Sequence, residues 1–221
     1  ELAANALLDP GRVEAHIQAL RPSVFYQGTV GGLRYLDPRL EDVLASAHAV
    51  DSLTVVDVVP PTGGWGCLLD ALGGVDLLHC NLHEARDMLG ADEPREALDG
   101  LVERGVRLAA VSDGAQGLYA STGHVTVHMP AFRVTEVDPT GAGDALCAGI
   151  IKALMDDGAS PGGLGALEAE ELKALMLMGQ AAGAASVTGV GATTAVTRRN
   201  VDSLVREQAA WILESTTVED A

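Results

Sequence analysis

The sequence predicts an α/β fold, a mostly parallel sheet with helices on both faces and a few antiparallel strands. Three observations carry this reading. Apolar, β-branched runs alternate with helix-like segments at regular spacing up to residue 111. One of those runs, LTVVDVV at 53–59, is apolar almost throughout, as a strand buried on both faces requires. After Ser112 the rhythm changes to short alternating segments joined by Gly-containing turns, which reads as antiparallel pairing. Strand–helix alternation builds parallel sheets because the return crossover is itself a helix.

Taken in order, Asp9 and Pro10 read as the cap and first residue of a helix to about Leu20. A short strand, SVFYQ, covers 23–27, and Asp37-Pro38 repeats the cap signal for a helix to about His48. The strand at 53–59 leads through a PPTGG loop to a short helix near Leu68. VDLLHC at 75–80 is the next strand, followed by a helix over 82–89, a helix opened by Pro94, and a strand over 107–111. GLYAS, HVTVHM and FRVTEV read as short antiparallel strands. From Ala142 onward Leu146, Ile150 and Leu154 share a helix face. A long Ala-rich helix follows over 169–187 and a last one over 200–213. The GASPGGLG stretch around Ser160 reads as a loop within the domain, so residues 1–221 are expected to form a single domain.

Composition narrows the function. Hydrophobic residues make up 48% but aromatics only 3%, so the core must be built from Ala, Val, Leu and Ile. A net charge of -17 excludes nucleic acid and anionic membrane as main partners. An anionic substrate must instead be gripped locally, by backbone amides, a metal ion or a few arginines. Cys67, Cys80 and Cys147 lack C-x-x-C spacing, which points to a reduced cytoplasm. The start, Glu1-Leu2-Ala3-Ala4-Asn5, carries no signal-peptide pattern. Residues 174–196 are uncharged and of bilayer length, yet their Gly, Ser and Thr content reads as a buried helix running into a Gly-rich loop.

The stretch VDPTGAGDAL, 137–146, is the chemical centre of the sequence. It ends a strand, makes a Gly-Ala-Gly turn and begins a helix with Asp144 in its first turn. A helix N-terminus offers unpaired N–H groups and partial positive charge, an anion site. Gly141 and Gly143 let backbone approach a phosphoryl group, and Asp144, ionised at neutral pH, can take a proton from an attacking hydroxyl. The plainer alternative is a dipole-favouring Asp after a tight connection.

Asp138-Pro139-Thr140-Gly141-Ala142-Gly143-Asp144 resembles the C-terminal D-T-x-G-A-G-D signature of the ribokinase/PfkB family of carbohydrate and nucleoside kinases. The resemblance implies a ribokinase-like three-layer sandwich, with Asp144 as catalytic base and Gly141, Ala142 and Gly143 as the anion hole. Asn81-Leu82-His83-Glu84 matches the family's N-x-x-E, implying that Asn81 and Glu84 hold Mg²⁺ through water; the same residues also spell a helix capping box. Ser112, Asp113, Gly114, Ala115, Gln116 and Gly117 are similar to the family's nucleotide loop, with Ser112 in place of Thr and Asp113 in place of an apolar residue. Read alone, they are a hairpin turn. Gln180 and the stretch up to Ala192 resemble the helix and loop that cover the adenine, with a tightly packed small-residue helix as the bland reading. By the same resemblance Asp138 and the carbonyls of Thr140, Ser186, Gly189 and Gly191 are candidates for a K⁺-like cation site.

The family's G-G-x-x-x-N is absent, since Gly31-Gly32 is followed by Leu33-Arg34-Tyr35-Leu36, and residues 1–8 resemble the segment after its β-sheet lid. The resemblance therefore implies the C-terminal two-thirds of such a kinase without the lid region. It also allows a homodimer. The expected activity is ATP- and Mg²⁺-dependent phosphorylation of a sugar, sugar acid or nucleoside, with Gln27 a weak candidate near the acceptor. The alternative is a lidless nucleotide-binding or regulatory remnant. A Rossmann dehydrogenase fails for want of G-x-G-x-x-G after the first strand. In HCNLHE, residues His79, Cys80, His83 and Glu84 are zinc-type ligands, but Asp87 stands where H-E-x-x-H needs its second His.

Overall fold

The computed structural model describes residues 8–156, 158 and 161–220. The start of the chain at 1–7, and Ser160 with part of the loop around it, lie outside these. Among the described residues, seven strands form one sheet in the order of the chain. Strands β1 (Val24–Val30), β2 (Leu53–Val58), β3 (Leu77–Asn81) and β4 (Leu108–Ser112) are parallel. Strands β5 (Leu118–Ser121), β6 (Val125–Met129) and β7 (Thr217–Asp220) continue it antiparallel. The helices are α1 (Pro10–Leu20), α2 (Leu40–His48), α3 (Gly66–Ala71), α4 (Leu82–Leu89), α5 (Pro94–Val102), α6 (Ala142–Asp156), α7 (Ala169–Ser186) and α8 (Arg198–Ser215).

The two-residue period of a strand sorts side chains into two cores. Val56, Leu78, Cys80, Ala109 and Val111 pack with Leu44 of α2, Leu68 of α3, Ala85 of α4 and Leu98 of α5. Val55, Leu77, Leu108 and Ala110 face the other way, onto Leu146 and Ile150 of α6, Met176 of α7 and Ile212 of α8. Every residue of β2 is buried, as its largely apolar run requires. No helix of the described residues is long and apolar enough to cross a membrane.

Three elements differ from the sequence reading. Asp9 caps α1 as expected, its Oδ1 accepting the Arg12 amide at 2.8 Å. Asp37 does not cap a helix. Its carboxylate accepts the amides of Gly31 and Leu33 at 3.1 and 2.8 Å, closing the preceding loop, and α2 begins at Leu40 after a 3-10 turn over Asp37–Arg39. FRVTEV is not a strand. The far edge of β6 is taken by β7, so Phe132 turns into the core instead, and the Arg133 backbone bonds the Gln208 side chain at 2.9 and 3.1 Å. β7 itself escaped sequence reading because four residues ending Glu-Asp carry no apolar alternation.

Helices α6 and α7 approach closely where Gly149 faces α7: a Cβ there would lie 2.6 Å from the Met178 carbonyl oxygen. Gly149→Val is expected to cost about 1–3 kcal/mol by forcing the helices apart, whereas Val at the exposed neighbour Ala148 shifts stability by less than ~0.5 kcal/mol. Urea unfolding of the two variants checks the contrast.

Candidate active site

The C-terminal ends of β1 to β4 and the first turn of α6 enclose the site. The turn into α6 is clamped by Asp138, whose Oδ1 accepts the Thr140 amide at 3.0 Å and whose Oδ2 accepts the Gly191 amide at 2.9 Å. A bond from the Thr140 side chain first, then the Gly191 and Thr140 amides, holds the Asp138 carboxyl below its ordinary range. Gly141 has φ of 79°, and a Cβ on it would sit 2.3 Å from the Ala192 Cβ, so only glycine fits between the turn and the 189–192 loop. Asp144 is exposed, in the first turn of α6.

A polar chain runs from Asp144 into the protein. The Tyr26 hydroxyl lies 3.4 Å from Asp144 Oδ1 and 3.4 Å from Asp57 Oδ2, so one proton serves two carboxylates. Burial first, then the charge of Asp57, pushes Tyr26 far above the usual phenol range and keeps it a donor. Asp57 Oδ1 accepts from His79 Nδ1 at 2.9 Å, and His79 Nε2 meets Ser112 Oγ at 3.1 Å. Burial by itself would lower His79; the facing Cys147 sulfur and Asp57 carboxylate outweigh it and raise the imidazole to about 10. With the imidazole so raised, the pair favours an imidazolium–carboxylate ion pair, and it lies directly under the turn, since a Cβ on Gly143 would be 3.2 Å from His79 Cε1.

Beside this chain opens a cleft of about 260 Å³, lined among others by Ser112, Gly114, Ala115 and Gly117 from the loop after β4, by Ala142 and Gly143 of α6, and by Gln180 of α7. Three stretches far apart in sequence thus meet in one cavity. Gln180 is buried, its Nε2 donates to the Met129 carbonyl at 3.2 Å, and its Oε1 has no partner among the described residues. Asp113 and Gln116 instead close their own loop: the Asp113 amide donates to Gly117 and the Gln116 amide to Asp113, both at 2.9 Å.

Asn81 and Glu84 form the capping box of α4. Asn81 Oδ1 accepts the Glu84 amide at 2.9 Å, and Glu84 Oε2 accepts the Asn81 amide at 2.8 Å. Burial, against these bonds, raises the Glu84 carboxyl. One oxygen of Glu84 is left over, which suits binding a cation through water. Of the cation set, Asp138 is bonded to Gly191, the Gly189 amide to the Ser186 carbonyl at 3.4 Å, and Ser186 Oγ to the Ala192 carbonyl at 3.2 Å; Thr140 lies beside Asp138. Gln27 is a correction: it sits within β1, buried, with its Nε2 turned to the Gly28 carbonyl at 3.2 Å. HCNLHE assembles no zinc ligands of its own, because His79 and Cys80 face opposite cores and His83 is exposed. Sequence reading missed Tyr26, Asp57 and Cys147. Asp57 left a signal, a lone carboxylate within an otherwise apolar buried run.

A family model described as pfkB family carbohydrate kinase matches residues 30–199. The chain is 37% identical over 95 residues to a 2-dehydro-3-deoxygluconokinase of Thermoproteus tenax, covering 42% of this chain and 29% of that protein. It is 32% identical over 134 residues to a fructokinase of Klebsiella pneumoniae, covering 59% and 41% respectively. Among solved structures, a fructokinase with bound ATP from Xylella fastidiosa superposes with a TM-score of 0.76 at 21% identity, over 92% of this chain and 67% of that one. A ribokinase from Thermotoga maritima gives 0.64 at 22%, over 92% and 63%. These likenesses establish a ribokinase-like α/β fold. The chain spans well under half the length of those two curated relatives.

His79→Leu leaves the Asp57 carboxylate buried without its cation and is expected to cost about 3–5 kcal/mol. Combining it with Asp57→Leu removes the stranded charge and is expected to recover part of that loss. Urea denaturation of the single and double variants measures both.

Proposed function

The chain belongs to the pfkB family of carbohydrate kinases, and from that premise we propose that it transfers a phosphoryl group from ATP to a hydroxyl of a sugar, sugar acid or nucleoside, within one α/β domain. The observation that carries this reading is the shared cleft. The first turn of α6, the Ser112–Gly117 loop and Gln180 line one cavity, and Asp144 directly follows Gly143 of that lining. A phosphoryl donor lying there would have its transferring group at a helix N-terminus and its base toward Gln180.

In this reading Asp144 accepts the proton of the attacking hydroxyl, late in a loose transition state. The amides of Gly141 and Gly143 stabilise the charge on the migrating phosphoryl, preorganised because the Asp138 clamp already holds the turn, whereas the Ala142 amide is bonded to the Pro139 carbonyl at 3.2 Å. Tyr26 acts as a positioning residue: its hydroxyl aims Asp144 Oδ1 and loses nothing when that oxygen takes a proton, since Asp57 Oδ2 remains as acceptor. Asn81 and Glu84 would hold Mg²⁺ through water, supplying charge neutralisation at the phosphates. Asp138, Thr140, Ser186, Gly189 and Gly191 are the candidate set for a K⁺-like cation.

A coupled assay of ADP release over a panel of sugars, sugar acids and nucleosides tests the reading, with turnover on at least one acceptor as the expected result. Asp144→Asn then lowers kcat by about 10²–10⁴ with the KM for ATP nearly unchanged; retention of more than about a tenth of kcat removes Asp144 as the base. Tyr26→Phe, in the same assay, lowers kcat about tenfold, the worth of one hydrogen bond to a charged group. Its KM for ATP stays at the wild-type value.

A further inference from the structure

We propose that Asp57, His79 and Cys147 form a binding site for a thiophilic divalent cation, Zn²⁺ above all, beneath the turn that opens α6. They come from β2, β3 and α6, all three are buried, and one donor atom from each lies within 4.8 Å of the others. Carboxylate oxygen, imidazole nitrogen and thiolate sulfur are the three ligand types that zinc takes, and a three-ligand set leaves a fourth position open. With bonds of about 2.0–2.3 Å, neighbouring ligand atoms in a tetrahedral site stand roughly 3.5 Å apart. Small side-chain adjustments reach that value, opening the 2.9 Å between Asp57 Oδ1 and His79 Nδ1 and closing the wider spacings, all of which are within 4.8 Å.

The surroundings fit a metal in two further respects. His79 Nδ1 faces Asp57 and Nε2 faces Ser112 Oγ at 3.1 Å. A metal on Nδ1 leaves Nε2–H donating to Ser112, the outer-shell bond that orients metal-bound imidazoles. The charge also balances. As the metal–nitrogen and metal–sulfur bonds form, any proton on Nδ1 or on the thiol leaves to solvent, and the cation with carboxylate, neutral imidazole and thiolate is formally neutral, so the filled site carries no net charge in a low-dielectric interior. The Asp57 side chain is 11% exposed, which leaves the cluster a way in from solvent. Sulfur and nitrogen donors disfavour Mg²⁺, which prefers oxygen, so this site is separate from any phosphate-bound metal and does not depend on the kinase reading.

Cobalt substitution tests it on the whole, reduced chain. Titration with Co²⁺ is expected to saturate at one ion per chain, with a sulfur-to-cobalt charge-transfer band and the intense visible bands of a four-coordinate ion. Zn²⁺ is expected to displace it, and excess Mg²⁺ to leave it in place. Cys147→Ser, shown to be folded by circular dichroism, abolishes the sulfur band; Cys67→Ser, at an exposed thiol, keeps it; Ser112→Ala weakens binding about 10–100-fold. A spectrum without sulfur-to-cobalt transfer, or one that vanishes in Cys67→Ser, overturns the site and leaves a hydrogen-bonded core cluster. Should Cys147→Ser fail to fold, the Cys67→Ser spectrum decides, because Cys80 lies in the opposite core.

Discussion

Where α6 begins depends on the Asp138 carboxylate, which holds the Thr140 amide and the Gly191 amide at once. One bond turns the chain locally; the other reaches 53 residues along it and ties the loop after α7 to the turn before α6. The clamp presses Gly141 against Ala192 and leaves Asp144 in the first helical turn. A helix end fixed from both sides keeps its amides in place before any ligand arrives. That is the condition under which backbone dipoles stabilise developing charge without reorganising.

The sheet does the rest of the assembly. In the parallel pairing of β3 with β4, Asn81 stands opposite Ser112, so the start of α4 and the loop after β4 emerge side by side. Pleating then separates the neighbours His79 and Cys80, one under α6 and the other among α2 to α5. A single alternation thus sends His79 toward Asp57 and Ser112, and buries Cys80 among aliphatic side chains that push its thiol far above the usual range. The resulting line from Asp144 through Tyr26, Asp57 and His79 to Ser112 joins the first turn of α6 to the loop after β4 alongside the cleft.

The legible parts of this protein were the ones carried by consecutive residues. The parallel strands at 53–59 and 75–80 were readable because burial on both faces leaves a largely apolar run, and the cap at Asp9 because its partner is only three residues away. The Gly-Ala-Gly turn, the loop at Ser112 and Gln180 were readable as motifs for the same reason, and all three reach one cleft. FRVTEV misled because alternation describes a face and not a pairing partner; the edge it would have filled went to β7. Asp37 misled because a carboxylate before Pro caps whichever amides lie nearest, and here those belong to the loop behind it.

By itself the sequence determined the α/β alternation, the position of the helix that begins at Ala142, and the presence of a carboxylate in its first turn, because each is set by hydrogen bonding and side-chain periodicity over a few residues. Only the tertiary structure decided what that carboxylate meets. Tyr26 approaches Asp144 across 118 residues and Asp57 across 31, and no local pattern encodes either distance. Those contacts exist because strands pair in one register and α6 packs on one face of the sheet. A chain's local preferences do not contain that geometry; it comes from the burial of all the elements together.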